Sequence, residues 1–274
     1  MGECVRTRYL LTVAAVALAI GACTESAVTS SPGPPPDGSG PNSLQRVLER
    51  GVLRVGTTGD FHMSFIDPDT GERGGYDIDL TRKLAQDMGV EIEYVATDWP
   101  SLVSGLTAGR YDITTGASFN AGRARTASYT LPISRVGTVA VIRPTDEARF
   151  TTWDAINRSD VRVAVRRGSV FEDQARYITP DAEVRTIAAP AAEYQEVLEH
   201  RADVAIMSSL DAAALVHDRR QLRIAPVEPH NANYLGMLVP QGHHELRAFI
   251  DAWIRAQEYS GFIDELTAKW GIAF

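Results

Sequence analysis

From residue 43 onward, short apolar runs alternate with stretches whose apolar positions recur every three or four residues. Residues 44–50 read as a helix, with Ser43 placed to cap it and Gly51 to stop it. Residues 52–56 read as a strand. Residues 78–88 carry Leu80, Leu84 and Met88 on one helical face ahead of Gly89. In 90–95 the apolar Val90, Ile92 and Tyr94 alternate with Glu91 and Glu93, which predicts a strand, followed by a helix over 102–108 and a strand over 111–114. After Pro144 a second series begins: helix 152–157, strand 161–165, a helix from about Ser169, strand 183–187, helix 191–200 and strand 204–207. In 245–270, Leu246, Phe249, Ile250, Trp253 and Ile254 fall at helical spacing, and Gly261 divides that stretch in two. Strand and helix in alternation predict a parallel α/β architecture, and two such series in one chain predict two domains of ordinary size.

The first 42 residues follow neither period. Arg6 and Arg8 precede an apolar run at 10–20 and the small residues Gly21 and Ala22, the three parts of a secretory signal. The run is shorter than the roughly 20 residues of a membrane-spanning helix. Ile20, Gly21, Ala22 and Cys23 resemble a bacterial lipobox, so the expectation is a lipoprotein signal peptide at 1–22 and a diacylglycerol on the Cys23 thiol. The alternative is an ordinary signal with an incidental cysteine. Ser, Thr, Gly and Pro then dominate, so 23–42 reads as a flexible tether holding a soluble body on the outer side of a membrane.

Charge and cysteine content narrow the chemistry. Among 274 residues, 35 are acidic and 27 basic, a net charge of −8. Nucleic acid is therefore not expected as a partner, and an anionic small molecule needs a locally basic pocket. Cys4 and Cys23 both precede the folded part, which excludes a disulfide framework or thiolate metal site there. The histidines, His62, His200, His217, His230, His243 and His244, show no metal-ligand spacing, and Asp67 to Glu72 reads as a hairpin turn rather than a calcium loop. Signatures of phosphate-binding loops, dinucleotide folds and serine hydrolases are missing. Neither a metal nor a cofactor is expected.

What remains is a set of polar residues where strands should end. Thr57, Thr58, Gly59 and Asp60 follow the first strand; Thr115, Gly116, Ala117 and Ser118 follow the fourth, with Arg123 shortly after; Gly168 and Ser169 follow the strand at 161–165. In open α/β sheets ligands bind beyond the carboxyl ends of the strands, where helix N-termini offer N–H groups and an arginine can fork onto a carboxylate. Ordinary turn chemistry accounts for the same residues.

GVLRVGTTGD at 51–60, GYDIDL at 75–80, TDWPSL at 97–102, RYDI at 110–113, EARF at 147–150 and SG at 260–261 resemble the family 3 solute-binding proteins, the extracytoplasmic amino acid receptors of ABC importers. Within that family the resemblance is greatest to the cyclohexadienyl dehydratases, which convert prephenate to phenylpyruvate and arogenate to phenylalanine. It implies an α/β, two-lobed, periplasmic-binding-protein-like fold of type II with two crossover segments: lobe 1 at 44–144 plus 230–274 and lobe 2 at 145–229. It also implies that Arg123 with Ser118 clamps a carboxylate, that Thr115 is a further substrate contact, that the backbone of Gly168 and Ser169 receives a second anion, that Trp99 and Tyr194 wall a ring, and that Asp60 is a polar contact.

The general acid of the dehydratases, a Glu, falls on Asp211 in DVAIMSSLD at 203–211, one methylene shorter. The receptors' ammonium-binding Asp falls on Ser208, and a supporting Asn on Val170. A carboxyl in a closed, apolar-walled cleft can carry a proton at neutral pH and pass it to a leaving hydroxyl. Two functions follow as expectations: dehydration with Asp211 as acid, or non-catalytic capture of a polar amino acid or small carboxylate for an ABC permease.

Overall fold

The computed structural model describes residues 41–59, 63–67 and 70–271. The segment expected to be a signal peptide, Cys23, the expected tether up to residue 40, and Asp60 lie outside the described residues.

The first helix, Ser43–Arg50, is capped one residue earlier than its pattern suggests. The Asn42 side chain accepts the Gln45 N–H at 2.9 Å and the Gln45 side chain accepts the Asn42 N–H at 2.9 Å, a reciprocal capping box. Ser43 faces the other way: its hydroxyl donates to Glu245 at 3.2 Å and accepts the Leu246 N–H at 3.2 Å, which ties the start of the fold to the helix His244–Ser260.

Two parallel three-strand arrangements follow, and they repeat one another. In the first, Val52–Thr57 lies between Glu91–Ala96 and Ile113–Thr114; in the second, Arg162–Arg166 lies between Glu183–Ile187 and Val204–Ser208. Val55 stands opposite Ile113 as Val163 stands opposite Val204. One residue before each pair sits the same ionic clamp. Asp112 accepts the Arg54 backbone N–H at 2.9 Å, its Nε at 3.3 Å and its Nη2 at 2.9 Å; Asp203 accepts the same three groups of Arg162 at 2.9, 3.1 and 3.0 Å. Both aspartates follow a left-handed residue three positions earlier, Gly109 at φ 68° and His200 at φ 57°.

Two long antiparallel strands connect these halves. Along Ser134–Ile142 the packing changes partners: Val136 belongs to a core with Leu53, Leu80 and Ile250, whereas Ala140 and Ile142 belong to one with Val163 and Ile206. The chain returns along His230–Gly236, which pairs with it, and Leu235 is back in the first core. The result is an α/β fold of two lobes with two crossover segments. Fully buried side chains such as Leu53, Leu80, Ile113, Ile142 and Phe150 each contribute about 1.5–3 kcal/mol of transfer free energy.

Candidate functional site

Between the lobes lies a cavity walled by Met63, Trp99, Val136, Phe171, Leu210 and Leu235, with Gly116, Ser118, Ser169, Val170 and Ser208 between them. Among the described residues, three ionisable side chains line it, Arg123 and Asp77 from lobe 1 and Asp211 from lobe 2. Its volume is only about 40 Å³, room for a few waters. Leu210 and Phe171 of the second lobe pack against the first lobe's core and narrow the space between the lobes.

Arg123 sits in the short helix Ala121–Ala124, whose cap Asn120 accepts the Arg123 N–H at 3.2 Å. Its guanidinium carbon stands 4.9 Å from the centre of the Trp99 ring, a cation–π contact that fixes the plane of the fork. Nη1 donates to the Ser118 carbonyl at 3.3 Å, and Nη2 reaches across the cleft to the Gly168 carbonyl at 3.2 Å. A guanidinium carries five N–H donors, so these two bonds leave others for a carboxylate.

Gly168 makes that contact possible for two reasons. Its φ is +71°, and a Cβ there would stand 3.0 Å from Pro100, so any side chain would force the lobes apart. The loop is not arranged as an anion receptor, however. The Gly168 N–H donates to Glu172 at 2.9 Å and the Ser169 N–H to the Arg166 carbonyl at 3.3 Å, so both backbone donors are already engaged. Ser169 is buried at the cavity edge, its hydroxyl donating to the Arg166 carbonyl at 2.8 Å.

On the second lobe, Ser208 caps the helix Ser209–Asp218: its oxygen accepts the Asp211 N–H at 3.0 Å. The same hydroxyl donates to Asp211 Oδ2 at 2.5 Å, which holds the carboxyl at the helix entrance facing the cavity.

Besides Gly168, two expected contacts are missing from this cavity's lining. Tyr194 packs on the core of Val139, Val197 and Met207, with the Arg219 guanidinium 5.2 Å above its ring. Thr115 is buried, and its backbone N–H donates to the Gly56 carbonyl at 3.0 Å; the next residue, Gly116, takes the lining position. Sequence reasoning missed Asp77, which is 2% exposed in the first turn of Tyr76–Met88. Its only signal in the sequence is the GYDIDL motif at 75–80.

Residues 53–273 match the family model of bacterial extracellular solute-binding proteins, family 3. The chain belongs to that family. This solute-binding protein is 28% identical over 229 residues to the cyclohexadienyl dehydratase of Pseudomonas aeruginosa, covering 83% of this chain and 85% of the relative. It is 24% identical to the L-cystine-binding protein TcyJ of Escherichia coli, with the same coverage. Among solved structures it resembles AncCDT-1, an ancestral amino acid-binding protein described as a precursor of cyclohexadienyl dehydratase, with a TM-score of 0.78, 29% identity, and coverage of 84% of this chain and 99% of that one. Among the described residues of this family member, no helix is long and apolar enough to cross a membrane.

Proposed function

We propose that this solute-binding protein is an exported dehydratase of cyclohexadienyl acids, taking prephenate to phenylpyruvate or arogenate to phenylalanine. The observation that carries the reading is that Arg123 and Asp211, from opposite lobes, line one apolar-walled cavity. Arg123 holds a substrate carboxylate through the N–H groups not engaged by Ser118 and Gly168, and Trp99 covers the ring. When the lobes close, Asp211 in its protonated form gives a proton to the ring hydroxyl. The C–O bond breaks, water leaves, the electrons of the ring carboxylate's C–C bond pass into the ring, and CO₂ departs. Aromatisation supplies the driving force, so the step balances without an external redox partner. Ser208 positions the acid through its bond to Oδ2.

The test is ultraviolet detection of phenylpyruvate from prephenate. Asp211→Asn should bind but turn over at least about 100-fold more slowly, the usual contribution of a positioned acid. Equal rates in the two proteins would overturn the reading.

A second reading, capture of an amino acid for an ABC permease, is favoured by the similarity to TcyJ and to AncCDT-1. Binding without any product would select it. We further propose that 1–22 is a cleaved signal and that a lipid on Cys23, followed by the tether at 23–42, holds the body on the outer face of a membrane; Cys23→Ser would then release the protein in soluble form. The lobe limits 44–144 plus 230–274 and 145–229 stand on the same footing. Limited proteolysis at the crossovers would check them.

A further inference from the structure

Among the described residues, the cavity wall holds two carboxyl groups, Asp77 and Asp211, and one guanidinium, Arg123. With Asp211 protonated, as the proposed step requires, the wall presents one carboxylate beside one guanidinium, which matches an ammonium beside a carboxylate. Lobe 2 offers an ammonium little at Ser208, whose hydroxyl is engaged both ways with Asp211 in the helix cap.

The Asp77 carboxyl lies so close to Gly116 that a Cβ there would stand 3.0 Å from Oδ1. Two residues on is Ser118, whose carbonyl accepts Arg123 Nη1. Asp77, Gly116, Ser118 and Arg123 thus form one continuous strip of the cavity wall. In an α-amino acid a single carbon separates the ammonium from the carboxylate, so their partners must be neighbours on one surface.

We propose that Asp77 is a specificity-determining residue: it holds the ammonium of an α-amino acid whose carboxylate lies on Arg123, and so selects amino acids over the corresponding keto acids. The pose of the carboxylate rests on the function proposed above. Asp77 recognises, while Asp211, on the opposite lobe, faces the remainder of the solute.

L-phenylalanine and phenylpyruvate share a ring and a carboxylate and differ in the ammonium, so calorimetry with these two probes reads the proposal directly. The wild type should bind phenylalanine at least about tenfold more tightly, and Asp77→Asn should bring the two affinities to within about threefold. Gly116→Ala keeps Asp77 but sets a methyl against its carboxylate; it should weaken phenylalanine more than phenylpyruvate, and it covers the case in which Asp77→Asn does not fold, with melting temperatures measured for all three proteins. Equal wild-type affinities, no binding of phenylalanine, or a ratio unchanged in whichever variants fold would overturn the proposal. Product formation from arogenate and prephenate is scored separately: no turnover together with an Asp77-dependent preference would sink the dehydratase and leave Asp77 in its role.

Discussion

Asp203→Asn tests whether the duplicated clamp holds the lobes' central strands. Asp203 is buried and accepts three hydrogen bonds from Arg162, while Arg143 and Arg149 approach at 3.8 and 3.6 Å. Asparagine retains an acceptor for the Arg162 backbone N–H but loses the charge that the guanidinium faces. Removing one partner of a buried ion pair costs about 3–5 kcal/mol, and water recovers part of that because the Arg162 side chain is 35% exposed. The expected loss is about 2–3 kcal/mol, or roughly 4–12 °C in melting temperature. Burial raises the Asp203 pKa, but the bonds from the Arg162 side chain and backbone and the charges of Arg162 and Arg149 outweigh it, so the carboxyl sits below its ordinary value. A depressed folded pKa means that the contribution is complete above the unfolded value of about 4 and disappears as the pH falls through the folded one. The deficit of the variant, measured by urea denaturation, should therefore be largest at neutral pH and shrink below about pH 4. A deficit under about 0.5 kcal/mol at pH 7, the size expected of an ordinary surface change, or one that stays constant down to pH 3, would refute the reasoning. Asp112→Asn, in the matching clamp of the first lobe, should cost a similar amount and add to it, since the two sites share no partner.

Two further outcomes are expected. Arg123→Lys keeps a positive charge but loses the fork and the stack on Trp99, so ligand affinity measured by calorimetry should fall at least about tenfold, whereas Tyr194→Ala should leave it within about twofold because Tyr194 packs under Arg219 away from the cavity. His200 holds a left-handed φ of 57° where the matching turn of the other lobe has Gly109; His200→Gly should raise stability in urea by about 1 kcal/mol, and a loss would show that the imidazole makes contacts worth more than the strain.

Most elements were legible because burial imposes their period. Glu183–Ile187 has the limits its pattern predicts, and Gly89 and Gly261 end their helices in left-handed geometry as expected. The crossover strands were not legible. His230–Gly236 carries Asn231 and Asn233, residues depleted in strands, and is a strand because Ser134–Ile142 supplies its hydrogen-bonding partner. Pairing across nearly a hundred residues of sequence leaves no local trace. The helix starts were displaced for a related reason: Ser43 and Asn42 are both competent caps, and only the distant Glu245 and Leu246 decide which role Ser43 takes.

The site divides along the same line. Arg123, Ser118 and Asp211 could be placed from motifs because each stands at the start of a helix or the end of a strand, where chain geometry alone points toward the cleft. Tyr194 stands in the first turn of a short helix, Glu193–Leu198, but there the apolar face it shares with Val197 and Leu198 turns the ring onto the core. Asp77 hides for the opposite reason. An acidic residue in a first helical turn favours the helix dipole whether or not it does anything else, so its identity says nothing about a ligand. Only the approach of Gly116, which brings it onto the strip that carries Arg123, sets it apart from Asp79 two residues on, whose carboxylate accepts from Lys269 at 2.7 Å and from the Trp270 ring N–H at 2.9 Å. Two aspartates in one turn, alike to the helix, thus face a cavity in one case and hold the C-terminal helix in the other.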